Sequence, residues 1–178
     1  MRYQGLLYRC LNPIFAADPL SGEGARRYGG RFNPKGMVAL YTSTSIATAI
    51  RESQQVGHLQ PTMLVSYAAD LFPVFDATAP QALAAYGMTE AGLAAADWRD
   101  DMRLNGTSQT QRLAERLIAD GYVGMRVRSF AQGAQAHDLN MVRRFTHRVG
   151  VMERGKLVEI GDTAAVFANP QHAYTQKL

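Results

Sequence analysis

Cysteine is almost missing from this sequence: Cys10 is the only one in 178 residues, so the chain cannot close a disulfide within itself. Histidine is scarce too, and its four copies are not spaced with Cys10 or with one another as zinc ligands are. Both scarcities lead to the expectation of a cytoplasmic protein that needs no metal. No apolar run has the length of a bilayer span, and Met1 to Cys10 mixes Arg2, Gln4 and Arg9 among its apolar residues. Neither a membrane segment nor a signal peptide is therefore expected. Two nucleotide-binding patterns also fail. The glycine-rich stretch before Arg31 lacks the Lys-Ser/Thr ending of a phosphate loop, and no long strand precedes it as a dinucleotide fingerprint requires.

Charge is sparse at 19% of residues, with a net value of +4 and a pI near 9.4. The basic residues form no dense run with interleaved aromatics, so direct binding of nucleic acid is not expected. A cleft for an anionic small molecule, or a surface for an acidic protein, accounts for the balance as well. A non-enzymatic basic module that binds a phosphorylated ligand or RNA stays open as an alternative. With 47% hydrophobic residues, 178 residues suffice for one domain with a real core.

The densest grouping of chemically useful residues runs from Leu20 to Glu52. Ser21, Gly22, Glu23, Gly24, Ala25, Gly29 and Gly30 read as a permissive loop leading to Arg31, whose planar guanidinium suits a phosphate or pyrophosphate. Asn33, Pro34, Lys35 and Gly36 form a turn signal, and Met37 to Tyr41 is apolar enough for a buried strand. Thr42, Ser43, Thr44 and Ser45 supply N-caps for a helix. In it Ile46, Ala49 and Ile50 share one face, and Ser45, Thr48 and Glu52 another.

Elsewhere, Gly5–Cys10 reads as a strand ending near Tyr8 and Arg9, and Asn12–Leu20 as loop. The polar tract Gln54–Pro61, with His58 as a surface histidine, ends the helix of Glu52. Thr62–Tyr67 and Leu71–Phe75 read as strands. Pro80–Tyr86 and Thr89–Ala96 read as helices, the second capped by Thr89. Trp98–Gly106 is charged and irregular in pattern, with Trp98 assigned to the core in preference to a lid. Ser108 caps a helix over Gln109–Ala119 with Leu113, Leu117 and Ile118 as its stripe, and Tyr122–Val127 reads as a strand.

The run Pro19–Glu52, with Gly22, Gly24, Ala25, Gly29, Gly30, Arg31, Phe32, Asn33, Gly36, Tyr41, Thr42, Ser43 and Glu52 in that order, closely resembles the RES domain. That family is named for an arginine, a glutamate and a serine. The likeness extends back to Tyr8 and Arg9 and forward to Gly121–Phe130, where it places the family's serine at Ser129. The family commonly has proline before this serine; here Arg128 stands there. The resemblance implies an α+β fold: an ADP-ribosyltransferase-like core, similar to the diphtheria-toxin group, of two packed, mainly antiparallel sheets around an NAD cleft with flanking helices. It implies the toxin of a toxin-antitoxin system, with NAD as substrate and no metal.

Carried over residue by residue, the resemblance gives Glu52, Arg31 and Tyr41 catalytic roles. Arg9, Arg31, Tyr41, Ser43 and Ser129 would hold the dinucleotide. Family members transfer ADP-ribose to a host protein, for which phosphoribosyl pyrophosphate synthetase is the acceptor implied, or hydrolyse or phosphorolyse NAD. The partner implied is an Xre-like antitoxin with a helix-turn-helix domain, in a hetero-oligomer. No nucleophilic role falls to Ser129, which has no His-Asp pair beside it.

From His137, Asp138 and Leu139 to His172, Tyr174 and Thr175 the tail resembles the end of a peptide-transporter-type ABC ATPase, beginning at its switch histidine. The nucleotide-binding loop, signature motif and acidic strand of such an ATPase are absent, so ATP hydrolysis is not expected. The tail is either a fused remnant used as packing, or Asp138–Val142 and Val149–Ile160 are the last strands of the RES fold. A single domain over residues 1–178 is expected, with 137–178 not a separate one.

Overall fold

Short apolar runs separated by capped helices organise the first 144 residues into a sheet flanked by helices. The computed structural model describes residues 1–15, 17–54, 62–131, 133–134, 139–143, 148–153, 156–162, 169, 171–173 and 176; for 54, 143, 148–153 and 156–162 only the backbone is described. His58, most of the tract after the Glu52 helix, and His137 and Asp138 lie outside the described residues. The chain divides into two units, Met1–Arg144 and Phe145–Leu178.

The first unit contains, in order, β1 (Tyr3–Leu11), α1 (Glu23–Tyr28), β2 (Leu40–Ser43), α2 (Ile46–Gln54), β3 (Met63–Leu71), β4 (Val74–Asp76), α3 (Pro80–Ala85), α4 (Glu90–Ala94), α5 (Trp98–Asn105), α6 (Gln109–Ala119), β5 (Gly124–Arg128) and β6 (Leu139–Arg143), with a 3₁₀ turn at Pro13–Phe15. The strands form one sheet in the order β3-β1-β2-β6-β5-β4. All neighbours are antiparallel except β4 and β5. Whereas β1 and β3 pair along their whole length, β1 and β2 share one register pair, Tyr8 opposite Ser43. The sheet is thus two halves, β3-β1 and β2-β6-β5-β4, joined at a narrow seam. This is an α+β fold of mainly antiparallel strands with flanking helices.

The larger half carries the main core, in which Phe32, Phe75, Leu83, Leu93, Leu113, Leu117, Met125 and Val127 are buried. Tyr86 and Tyr122 meet the Phe75 ring edge-on at 5.2 and 5.5 Å, an arrangement that satisfies the ring quadrupoles. Leu7, Leu71, Val74 and Met141 form a second cluster. Helix α6 begins with a full capping box: the Ser108 hydroxyl accepts from Gln111 N and the Gln111 side chain from Ser108 N. Thr89 caps α4 by accepting from Gly92 N.

Several stretches differ from the expectations: the strand expected at Met37–Tyr41 is Leu40–Ser43, which takes in the expected caps Thr42 and Ser43, and the one expected at Leu71–Phe75 is Val74–Asp76. Half of the glycine-rich loop is helix α1, closed by ion pairs from Glu23 to Arg26 and Arg27. Its Gly22 serves internal packing, since a Cβ there would lie 2.5 Å from Val38 Cγ1. Helix α5 forms where an irregular segment was expected. Its support is polar, Asp100–Arg103 at 3.2 Å and Asn105 to Asp101 at 2.6 Å, so no apolar stripe marks it. On α2, Thr48 and Ala49 are buried, whereas Ile46 and Ile50 are 45% and 42% exposed. The Thr48 hydroxyl shares a 2.8 Å hydrogen bond with Ser45, and this satisfied pair lets a polar face take the inner position.

Across the parallel β4–β5 pair, Arg126 donates to both Asp76 oxygens, at 3.2 and 2.5 Å. Burial pushes the Asp76 carboxyl up, but Arg126 and Thr78 together bring it below its ordinary value of 3.8. A depressed carboxyl contributes stability that is whole above its unfolded pKa and is lost as pH falls through the folded one. The thermal midpoint should therefore decline below about pH 4, and Asp76→Asn should flatten part of that decline. An unchanged acid slope in the variant would rule the pair out as a contributor.

In the second unit β7 (Arg148–Glu153) and β8 (Lys156–Asp162) make an antiparallel pair, with a register shift between Val151 and Met152. The expected strands Val149–Ile160 are this pair. β6 corresponds to the expected strand Asp138–Val142 and lies between β2 and β5, inside the sheet. Among the described residues, no helix is long and apolar enough to cross a membrane.

Candidate active site

A cleft open to solvent, enclosing about 570 Å³ of empty space, lies at the seam between the half-sheets. Its walls are Tyr8, Arg9 and Cys10 of β1, Tyr41, Thr42 and Ser43 of β2, Ala49, Glu52 and Ser53 of α2, and Asn140 of β6. A second hollow, about 400 Å³, lies among Phe32, Val38, Leu117, Met125 and their neighbours. Tyr122 is its only ionisable lining group, so it offers nothing for polar chemistry.

Glu52 reaches the cleft from a helix whose first turn is fixed by Ser45, which accepts from Thr48 N at 3.1 Å. Its Oε1 accepts from Ser129 Oγ and from Asn140 Nδ2, both at 2.5 Å. Asn140 Oδ1 in turn accepts from Ser43 Oγ at 2.7 Å, and Ser129 Oγ accepts from Ala131 N at 3.2 Å. The sheet thus joins Ser43 and Glu52 with Ser129, which is distant from both in sequence, into one hydrogen-bonded chain through Asn140. Its central link, Asn140, was not singled out from the sequence. The available signal was a lone amide side chain inside the apolar strand Leu139–Val142. Arg128, in the place of the family's proline, pairs with Glu90 and leaves Ser129 free to reach Glu52.

Tyr41 presents its ring to the cleft while its hydroxyl is engaged behind it, donating to Asn33 Oδ1 at 2.8 Å and accepting from Phe32 N at 3.1 Å. Burial drives the phenol's pKa well up, so the ring stays neutral. Gly30 permits this approach: a Cβ there would stand 2.5 Å from the Tyr41 hydroxyl and 2.6 Å from Asn33 Oδ1. Arg9 lines the cleft and donates from Nη1 to the carbonyls of Pro19 and Ser21, at 3.1 and 2.9 Å, bracing the segment that leads into α1. Tyr67 supports the same Pro19 carbonyl at 2.6 Å.

Arg31 is not one of the cleft's walls. Its Nη1 donates to Leu93 O and Ala95 O at the end of α4, at 2.8 and 2.7 Å. The guanidinium lies over the Phe130 ring at 4.6 Å and the Trp98 ring at 5.6 Å. Trp98, expected to plug the core, is instead half-buried beside this cation. Burial lowers the Arg31 pKa first and the Arg99 charge second, while Tyr41 and Glu52 act on it in the other sense. Arg31 therefore stands within electrostatic reach of both and stays charged, as guanidinium does throughout the physiological range. Its turn is pinned to the start of α6: Thr110 donates to Arg31 O, and Gln111 Nε2 to Gly30 O and Asn33 O at 2.8 and 3.0 Å. Among the described residues no group of His, Cys, Asp and Glu side chains gathers as metal ligands do.

Comparison with known proteins agrees with this architecture. The fold superposes on a solved structure, "Crystal structure of the M.tuberculosis MbcT-MbcA toxin-antitoxin complex", with a TM-score of 0.60 over 91% of this chain and 85% of that one, at 22% identity. Among curated relatives, the glutathione import ATP-binding protein GsiA of Shigella flexneri serotype 5b (strain 8401) and that of Escherichia coli (strain K12) are each 58% identical over 43 residues. That match is 24% of this chain, which spans 7% of the length of those relatives. Residues 6–157 match the RES domain, and the chain belongs to the RES domain family.

Proposed function

We propose that this protein is the toxin of a toxin-antitoxin pair, and that it consumes NAD by cleaving the bond between nicotinamide and ribose. The observation that carries the reading is the Glu52 carboxylate, held by Ser129 and Asn140 in the wall of a cleft it shares with Tyr41 and Arg9. Cleavage passes through an oxocarbenium-like state at the ribose C1′. The bonding electrons leave with nicotinamide, which departs neutral from a cation and so needs no general acid. One fixed carboxylate is then enough: Glu52 stabilises the positive charge growing on the ribose. Tyr41 offers an aromatic face to the nicotinamide ring, Arg9 and Arg31 supply cations for the phosphates, Ser43 completes the polar lining, and Ser129 orients Glu52 beside the dinucleotide.

The acceptor that attacks C1′ and loses its proton is a host protein in this reading, and phosphoribosyl pyrophosphate synthetase is the acceptor that the resemblance implies. The partner is an Xre-like helix-turn-helix antitoxin in a hetero-oligomer, its tail filling the cleft; the fold's likeness to a toxin solved with its antitoxin supports a partner of that kind. Water or phosphate as acceptor would make the protein an NAD glycohydrolase or phosphorylase instead. Labelled NAD incubated with the purified protein, with and without cell lysate, separates these: label on one protein band means transfer, and free ADP-ribose or its phosphate means depletion. A second readout is independent of turnover. The single thiol, Cys10, lines the cleft, so NAD should slow its alkylation by iodoacetamide. No nicotinamide release together with no protection of Cys10 would end the proposal.

A further inference from the structure

Trp98 and Arg99 open helix α5 and carry no role in the reading above. Arg99 Cζ lies 4.3 Å from the Trp98 ring centroid and Arg31 Cζ 5.6 Å from it, so one indole gathers two guanidinium groups. Among the described residues Arg99 makes no ion pair or hydrogen bond. The charged neighbours on its helix are committed elsewhere: Asp100 to Arg103, and Asp101 to Arg112, Asn105 and Gln109 N. Arg31 uses only Nη1 within the protein, on two neutral carbonyls, which leaves Nε and Nη2 as donors with no acceptor among the described residues. Both guanidinium groups stand beside one indole, and the Arg99 charge depresses the Arg31 pKa, so the two cations repel. Such an arrangement becomes favourable when an anion with oxygens for both forks enters it.

We infer that Arg31 and Arg99, spaced by the Trp98 ring, form a two-fork seat for a diphosphate, one phosphoryl group to each guanidinium. The inference rests on the proposed NAD reading for its natural ligand, the pyrophosphate of the dinucleotide, and adds Arg99 as a binding residue. Cation–π stacking explains the choice of side chains: Trp98 carries Arg99, and Phe130 at 4.6 Å with Trp98 at 5.6 Å carries Arg31, leaving Nε and Nη2 of Arg31 as donors. A lysine at either position would keep the charge and lose the planar fork.

The probe is ADP, with adenosine and inorganic phosphate as its parts, titrated into the full-length protein. Binding is read from the fluorescence of Trp98, the only tryptophan, and by calorimetry. ADP should quench or shift Trp98 emission, and Arg99→Gln should weaken ADP at least about tenfold, the usual worth of one charge-assisted hydrogen bond. Adenosine binding should be unchanged in that variant, and Arg99→Lys should fall between. Because Arg99 is exposed, the variant should melt as the parent does. Equal ADP affinity in Arg99→Gln and parent, or no ADP binding by the parent, overturns the inference. Inorganic phosphate binding as tightly as ADP, and equally dependent on Arg99, also overturns it, since the seat would then take one phosphoryl group. A protein that binds ADP through Arg99 yet releases no nicotinamide from NAD leaves the seat standing and refutes only the proposed reaction.

Discussion

Glu52→Gln is expected to bind NAD within about threefold of the parent and to release nicotinamide at least about a hundredfold more slowly. The substitution is nearly isosteric. Glutamine Oε1 can accept from both Ser129 Oγ and Asn140 Nδ2, as the carboxylate oxygen does, so the hydrogen-bonded chain to Ser43 can persist. The charge does not. A hundredfold loss is about 2.7 kcal/mol of transition-state stabilisation, a modest demand on one carboxylate facing a developing cation in a partly enclosed cleft. Kinetics of nicotinamide release, with NAD affinity measured separately, checks the expectation. Turnover within about threefold of the parent would remove Glu52 from the chemistry, and lost binding would recast it as a ribose-holding group.

A second large effect should come from a residue that never meets the cleft. Gln111→Ala is expected to lower stability by about 3 kcal/mol, read as a fall in melting temperature of about 10 °C for a chain of this size. Gln111 is 0% exposed, and its amide joins three backbone groups: Gly30 O and Asn33 O accept from Nε2, while Oε1 accepts from Ser108 N. Truncation leaves all three without that partner in a place where water cannot replace it. The same bonds pin the turn on which Arg31 sits, so the Michaelis constant for NAD should rise in whatever fraction stays folded. A melting temperature within about 2 °C of the parent would show that the turn is held by other means.

The sequence was readable wherever a signal is local. Ser108 and Thr89 announce helix caps, and the spacing of Leu113 and Leu117 marks the buried face of α6. Interactions of this kind close within one helical turn, so neighbouring residues suffice to specify them. Helix α5 escaped because its support is Asp100–Arg103 and Asp101–Asn105 pairing, which leaves no hydrophobic period. The inner face of α2 was misjudged for the opposite reason: Ile46 and Ile50 look like a core stripe, but the Ser45–Thr48 pair lets a polar face turn inward.

The residue types for the proposed chemistry, a guanidinium at Arg31, an aromatic ring at Tyr41 and an acid at Glu52, stand within one stretch and were visible in the primary structure, as was the family they point to. Their working arrangement was not. Asn140 and Ser129 meet Glu52 across separations of 88 and 77 residues, and the cleft exists because β1 and β2 pair at a single position. Strand order and register set both facts, and they depend on which distant segments share a buried face. Local composition therefore named the candidate groups, whereas long-range strand pairing chose which of them touch.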